Sequence, residues 1–300
     1  MMLTPQRERM RKTLKGEIPD KIPHGEVMID DFLVERLTGT EMPFARKNSN
    51  IHWAFDRLSE TEFQAHLKAR ELLGCDFLVV FPLQKLNEIS KRDGYPVVRD
   101  LWGRVLILSP YTFETIYHPL TNIDDLRKYR FPKPEEFSWD NIELWLNDSP
   151  FFVACQIDVG FSMFAELIGY ERLMFYIKDN KKEVVNFATR FYDFAKEMAQ
   201  KAIEKGAECI WLADDFAHNN GTFIAPQDLY EIDFRFMKTL VDEVHKKGSL
   251  VNLHACGRVS TVIDILVELG IDSLHGLQPA AGNDIFLIKE RYGKKNYSYW

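Results

Sequence analysis

Five times along this chain an amphipathic stretch closes on a glycine and a short apolar run follows at once. The segments read "ELLGCDFLVVFPLQ" at Gly74, "IEKGAECIWLADDF" at Gly206, "HKKGSLVNLHAC" at Gly248, "VELGIDSLHGLQP" at Gly270 and "ERYGKKNYSYW" at Gly293. A helix C-terminus calls for a left-handed residue at that place, and glycine takes it without steric cost. Each apolar run then ends in polar residues. Strands that alternate with helices cannot be joined by tight hairpins. They line up in parallel, with the helices packed on the sheet.

The helices carry further marks. Ser59 followed by Glu62 makes a capping box before "FQAHLKARELL". Apolar residues at 184, 188, 191, 195, 198 and 202 form a helical stripe. Pro226 suits the first turn of the helix that ends before Gly248. Strands are expected near 24–29, 76–81, 151–157, 208–213, 249–255, 273–277 and 296–300. After the second strand, "YPVVRDLWGRVLILSPYTFETIYHPL" reads as an inserted β-hairpin, followed by the proline-rich connection "FPKPEEFSW". No glycine-rich dinucleotide fingerprint or P-loop is present. The pattern predicts a single (β/α)8 TIM-barrel domain over 1–300, with a doubly wound open sheet as the second choice.

Net charge is −7, and no stretch of five consecutive basic residues occurs, which argues against nucleic acid or an anionic membrane as partner. The N-terminal segment is charged and no apolar run approaches a membrane span of about 20 residues. Four cysteines, all at or inside apolar runs, suit a reducing cytoplasm. Cys75, Cys155 and Cys209 read as core thiols.

Barrel strands turn alternate residues inward, and the polar ones collect at the C-terminal mouth where such barrels do their chemistry. In "LVNLHAC", Val251, Leu253 and Ala255 face the helices, while Asn252, His254 and Cys256 share the inward face. Two residues apart on one strand, His254 and Cys256 can reach a single metal ion, and imidazole with thiolate suits zinc. In "CIWLADDF" the alternation sends Trp211, Ala213 and Asp215 inward and leaves Asp214 at the rim. Gln156 and Asp158 point inward from "FFVACQID". Asp30 or Asp31 falls at the mouth after the first strand. His218, Asn219 and Asn220 either orient a substrate or form an Asx turn before Gly221. His275 and Gln278 end another strand, as rim packing or as part of the site.

At this point the chain resembles the uroporphyrinogen decarboxylase superfamily, which also holds the corrinoid-dependent methyltransferases. The resemblance runs through "TPQRERMRKTLKGEIPDKIP", through "WLADDFAHNNGTFIAPQDLYEIDFRFMKTLVDEVHKKGSLVNLHACG" and through "ELGIDSLHGLQPAAGNDIFLIKERYGKK". It covers nearly the whole chain and implies a single (β/α)8 barrel. The decarboxylases carry an arginine-rich segment after the first strand and an aspartate after the second. Neither is seen in "MIDDFLVERL" or "FLVVFPLQ". The methyltransferase branch has a zinc site of His-x-Cys on the fifth strand plus a distant cysteine, and His254 and Cys256 match it in type, spacing and strand. The distant cysteine follows the eighth strand. The sequence ends at Trp300, which aligns with the end of the seventh, so strand eight and that cysteine are expected to be lacking here. Asp215 or an acid near Asp30 is left to supply an oxygen ligand. The resemblance implies methyl transfer between a corrinoid on a separate protein and a small thiol, ether or amine that zinc activates. Asp214 and Asp215 would serve catalysis. Gln156, Asp158, His218, Asn219, Asn220 and Gln278 would contact substrate. Two other readings are a metal-free decarboxylase-like lyase and a non-catalytic binding protein on a decayed barrel.

Overall fold

The computed structural model describes residues 3–42, 57–109 and 112–293, and the backbone of 298–299. Four of the five repeat glycines take the left-handed conformation: Gly74, Gly206, Gly248 and Gly270 have φ between 71° and 98°. Gly293 does not; it caps its helix at φ −61°. The Ser59–Glu62 capping box forms as expected, and Pro226 opens its helix. The striped segment is a helix from Lys181 to Glu204, and all six stripe residues are buried.

The strands of the main sheet are β1 (Phe77–Val80), β6 (Phe152–Asp158), β7 (Cys209–Ala213), β10 (Leu250–His254), β11 (Ser273–His275) and β12 (Ser298–Tyr299). Each pairs in parallel with the next, in chain order throughout. A doubly wound sheet reverses its strand order at a switch point, so a monotonic order belongs to a (β/α)8 barrel. The expected first strand, 24–29, shrinks to one parallel bridge between Gly25 and Phe77. Beside that bridge the Asp76 amide donates to the His24 carbonyl, and the Asp76 carboxylate accepts the His24 amide at 2.9 Å.

The insertion is larger than a hairpin. β2 (Asn87–Arg92), β3 (Tyr95–Arg99), β4 (Val105–Leu108) and β5 (Phe113–Tyr117) form a four-stranded antiparallel meander. Every residue of β2 is exposed, so no alternation of apolar residues announced it. Its turn at Asp93–Gly94 has φ of 52° and 84°, the left-handed pair that suits a tight hairpin. Arg104 ties the meander to the helix Gly160–Ile168, reaching Glu166 at 3.1 Å and Asp100 at 2.8 Å.

Two apolar layers separate by strand face. Val153, Cys155, Ile157, Ile210, Leu212, Val251, Leu253 and Ala255 pack outward against the helices. Phe77, Val79, Phe152, Ala154, Cys209 and Trp211 fill the barrel interior, closed from below by Met10 and Leu14 of the helix Pro5–Leu14. Cys75, Cys155 and Cys209 are buried, as expected, and burial pushes their thiol pKa values up. Among the described residues no helix is long and apolar enough to cross a membrane.

Candidate active site

The inward residues of β6, β7, β10 and β11 stack in layers up the barrel. Above the apolar floor, Ser273 Oγ donates to Asn252 Oδ1 at 2.6 Å. Two residue pairs higher, the next to face inward, His254 and His275 sit opposite each other in the parallel register. Their Nδ1 atoms are 2.6 Å apart, and the His275 ring lies against Trp211. Beyond the strand ends come Cys256 and Asp215. Gln156 and Asp158 line the adjoining wall, Gln156 Nε2 donating to Asp158 Oδ1 at 2.7 Å.

Asp215, His254 and Cys256 converge. Each offers a ligand atom, and the three atoms lie within 4.8 Å of one another. His254 Nε2 is 3.6 Å from Cys256 Sγ and 3.6 Å from Asp215 Oδ1. Tetrahedral zinc with bonds of about 2.0–2.3 Å has ligand-to-ligand edges of roughly 3.4–3.6 Å. The two edges from His254 Nε2 match a tetrahedral zinc site, and the third pair, Cys256 Sγ and the Asp215 carboxylate, lies within 4.8 Å. The sequence pattern placed His254 and Cys256 on one face and left Asp215 or an acid near Asp30 as the oxygen donor; Asp215 is the one that lies beside them. Among the described residues no acid near Asp30 joins: Asp30 caps the helix Asp31–Thr38, and Asp31 is buried against His66 Nε2 at 3.1 Å.

The electrostatics favour a cation at His254, whereas Cys256 must give up a tightly held proton to bind one. Burial lowers the His254 pKa against the opposing pull of Asp215, so its imidazole is neutral at neutral pH. The Cys256 thiol is pushed up to about 11, by burial first and then by the charge of Asp215. His275 is pushed down to about 4 by burial and by the neighbouring His254. Asp158 is open to solvent at the base of the mouth yet hemmed in by protein. That desolvation raises its carboxyl pKa against the hydrogen bond from Gln156 and the charge of Arg104.

Other expected site residues land elsewhere. Asp214 is not on the rim. It is fully buried on the outward face and accepts the Ser162 amide at 2.8 Å. The strand alternation simply continues one residue past β7 and turns Asp214 under the helix Gly160–Ile168. Its partner is Asp233, which accepts from the Phe161 amide at 3.2 Å and from the Tyr192 hydroxyl. Asp233 lies in a π-helical stretch, Tyr230–Phe234, that interrupts the helix after Pro226. Burial and then the charge of Asp233 drive the Asp214 pKa well above the carboxylate range, so the pair shares a proton. Sequence reasoning missed Asp233 because nothing local distinguishes it from any helical acid. Gln278 is exposed, but its side-chain oxygen is taken by the Gly257 amide at 2.7 Å. Asn283 grips the same loop, donating to Gly257 O at 2.8 Å. His218, Asn219 and Asn220 are exposed on a small rim hairpin of β8 (Ala217–His218) and β9 (Gly221–Thr222), with the two asparagines at its turn. His218 packs on Phe223, which stacks on Phe161 and meets Tyr170.

Comparison with known proteins adds two findings. The sequence model of the uroporphyrinogen decarboxylase (URO-D) family matches residues 115–278, a span that holds Asp215, His254 and Cys256. Among solved structures, a methyltransferase from Methanosarcina mazei is similar with a TM-score of 0.62. The likeness covers 91% of this chain and 76% of that one at 17% identity, and it speaks to the fold alone. No curated protein sequence matches.

Proposed function

We propose that this chain, which belongs to the uroporphyrinogen decarboxylase family, is a methyltransferase that moves a methyl group between a small thiol, ether or amine and a corrinoid on a separate protein. The convergence of Asp215, His254 and Cys256 carries the reading. One oxygen, one nitrogen and one sulfur donor within 4.8 Å of one another suit zinc, with a fourth position left for substrate. Zinc held there would act as a Lewis acid, lowering the pKa of a thiol acceptor or polarising the heteroatom of a methyl donor.

The protein's own groups have separate tasks. His254 is neutral and offers its ring nitrogen. Cys256 gives up its proton on metal loading. Asp215 accepts the Cys256 amide at 2.8 Å, which fixes the carboxylate beside the thiol. Asp158 lines the adjoining wall, held by the Gln156 amide at 2.7 Å, where its carboxyl can meet the polar end of a substrate. Gln156 orients that carboxyl, and the rim hairpin with His218, Asn219 and Asn220 stands beside the entrance. The corrinoid protein would dock over the mouth. The fold likeness to the Methanosarcina methyltransferase agrees with this reading.

Decarboxylation without metal is the weaker reading. The segment after the Gly25 bridge holds Asp30 and Asp31 in structural bonds, and β1 runs into Phe81–Gln84 with no acid. Zinc content and methyl transfer, assayed with methylcobalamin and a panel of thiols and with reduced cobalamin and methyl donors, test the proposal. Wild type should hold one zinc and transfer methyl. Cys256→Ala should lose both while keeping its circular dichroism. Full zinc in Cys256→Ala, or conversion of uroporphyrinogen to coproporphyrinogen, would overturn it.

A further inference from the structure

His254 has two ring nitrogens, and only one can face a metal. The other, Nδ1, lies 2.6 Å from His275 Nδ1. Two imidazole nitrogens at that distance need one proton between them. If His254 supplies it, His275 Nδ1 accepts, and the nitrogen of His254 left with a lone pair is Nε2. That atom stands 3.6 Å from both Cys256 Sγ and Asp215 Oδ1. We propose that His275 is the positioning residue of the metal site, fixing the tautomer and the ring direction of His254 from the neighbouring strand. The inference rests on the metal-site reading above.

The surroundings make His275 a rigid support. Parallel pairing of β10 with β11 sets the two histidines at one level, with ring centroids 4.8 Å apart. The His275 ring is braced on Trp211 at 5.0 Å, and its carbonyl takes the Ala255 amide at 3.2 Å. The backbone of the ligand strand and the ring of its histidine are thus tied to the same residue. Metal-bound histidines depend on such a second partner, and its removal typically costs 10–100-fold in metal affinity.

Zinc affinity, measured by competition with a chromophoric chelator, tests this on four purified full-length proteins: wild type, His275→Phe, His275→Asn and Cys256→Ala. Phenylalanine keeps a ring against Trp211 but has no acceptor. Asparagine loses the ring but puts an oxygen near the place of Nδ1. A positioning role predicts that His275→Phe binds zinc at least tenfold more weakly and that His275→Asn recovers most of the loss. A packing role predicts the reverse order. Wild-type affinity in His275→Phe, or weaker binding by His275→Asn than by His275→Phe, would overturn the inference and leave the metal site standing. Wild type that binds zinc no better than Cys256→Ala would overturn the metal-site reading, and this inference with it.

Discussion

Gly160 opens the helix behind the site, and replacing it with alanine tests how that helix supports Asp214. Gly160 has φ +63°, where alanine costs about 1–2 kcal/mol. A Cβ there would lie 2.6 Å from Asp233 Oδ2, 2.7 Å from Asp214 Cγ, and nearer still to Asp214 Oδ2. The two carboxyls cannot both move aside. Asp214 is held by the Ser162 amide and Asp233 by the Phe161 amide and the Tyr192 hydroxyl. Opening the gap breaks at least one buried hydrogen bond, at about 1–3 kcal/mol. The expected loss for Gly160→Ala is therefore about 2–5 kcal/mol in urea unfolding at neutral pH. Gly248→Ala is the control: its φ is +78° and nothing lies within 4 Å of the added Cβ, so it should show the backbone cost alone. Equal losses in the two variants would refute the claim that the carboxyl pair fills the space against Gly160.

Zinc affinity should rise about tenfold per pH unit across pH 6–9, because the Cys256 thiol, at about 11, must lose a proton to bind; a pH-independent affinity would exclude thiolate ligation. His245 donates to Asp272 and its pKa is raised above 6.5, chiefly by that bond. A raised folded pKa contributes stability below 6.5 that is lost as pH climbs through the folded value. Thermal melts should thus separate wild type from His245→Gln at pH 5–6 and bring them together in alkali. Arg7 is buried and donates to the carbonyls of Phe151, Leu146 and Ser149 at 2.8–3.1 Å, beside Glu208 at 3.4 Å. Arg7→Leu should cost about 3–5 kcal/mol in urea unfolding by stranding these groups.

The barrel was legible because its signals are local and repeated. A left-handed glycine at a helix end and an apolar run after it need no distant partner to be read. Strand alternation then placed Trp211 and His254 inward and Leu253 outward, and the two apolar layers follow that division. The reading failed where a tertiary contact overrides the local pattern. The first strand keeps only its Gly25 bridge, with the His24 amide taken by the Asp76 side chain, and the wholly exposed β2 had no buried face to declare it. At Asp214 the alternation was right and its use was not. A strand's facing continues past its last ladder bond, and an outward acid under a helix signals a buried partner rather than a rim.

The same physics accounts for what was legible in the candidate site. His254 and Cys256 share a strand, so their spacing shows in the sequence. The third converging group, Asp215, follows a different strand 41 residues from Cys256, and only the pairing of β7 with β10 brings it within reach. What holds these groups is farther still from local pattern. Asp215 accepts from the backbone of Cys256, Gln278 and Asn283 fasten Gly257, and His275 meets His254. Three of these four supports come from β11 and the segment that follows it. A site whose ligands lie at or just beyond strand ends gains rigidity only from such neighbours. On the proposed metal reading, the segment "HGLQPAAGND" would act on the chemistry without supplying a converging ligand atom, and its residues are better judged by metal affinity than by contact with substrate.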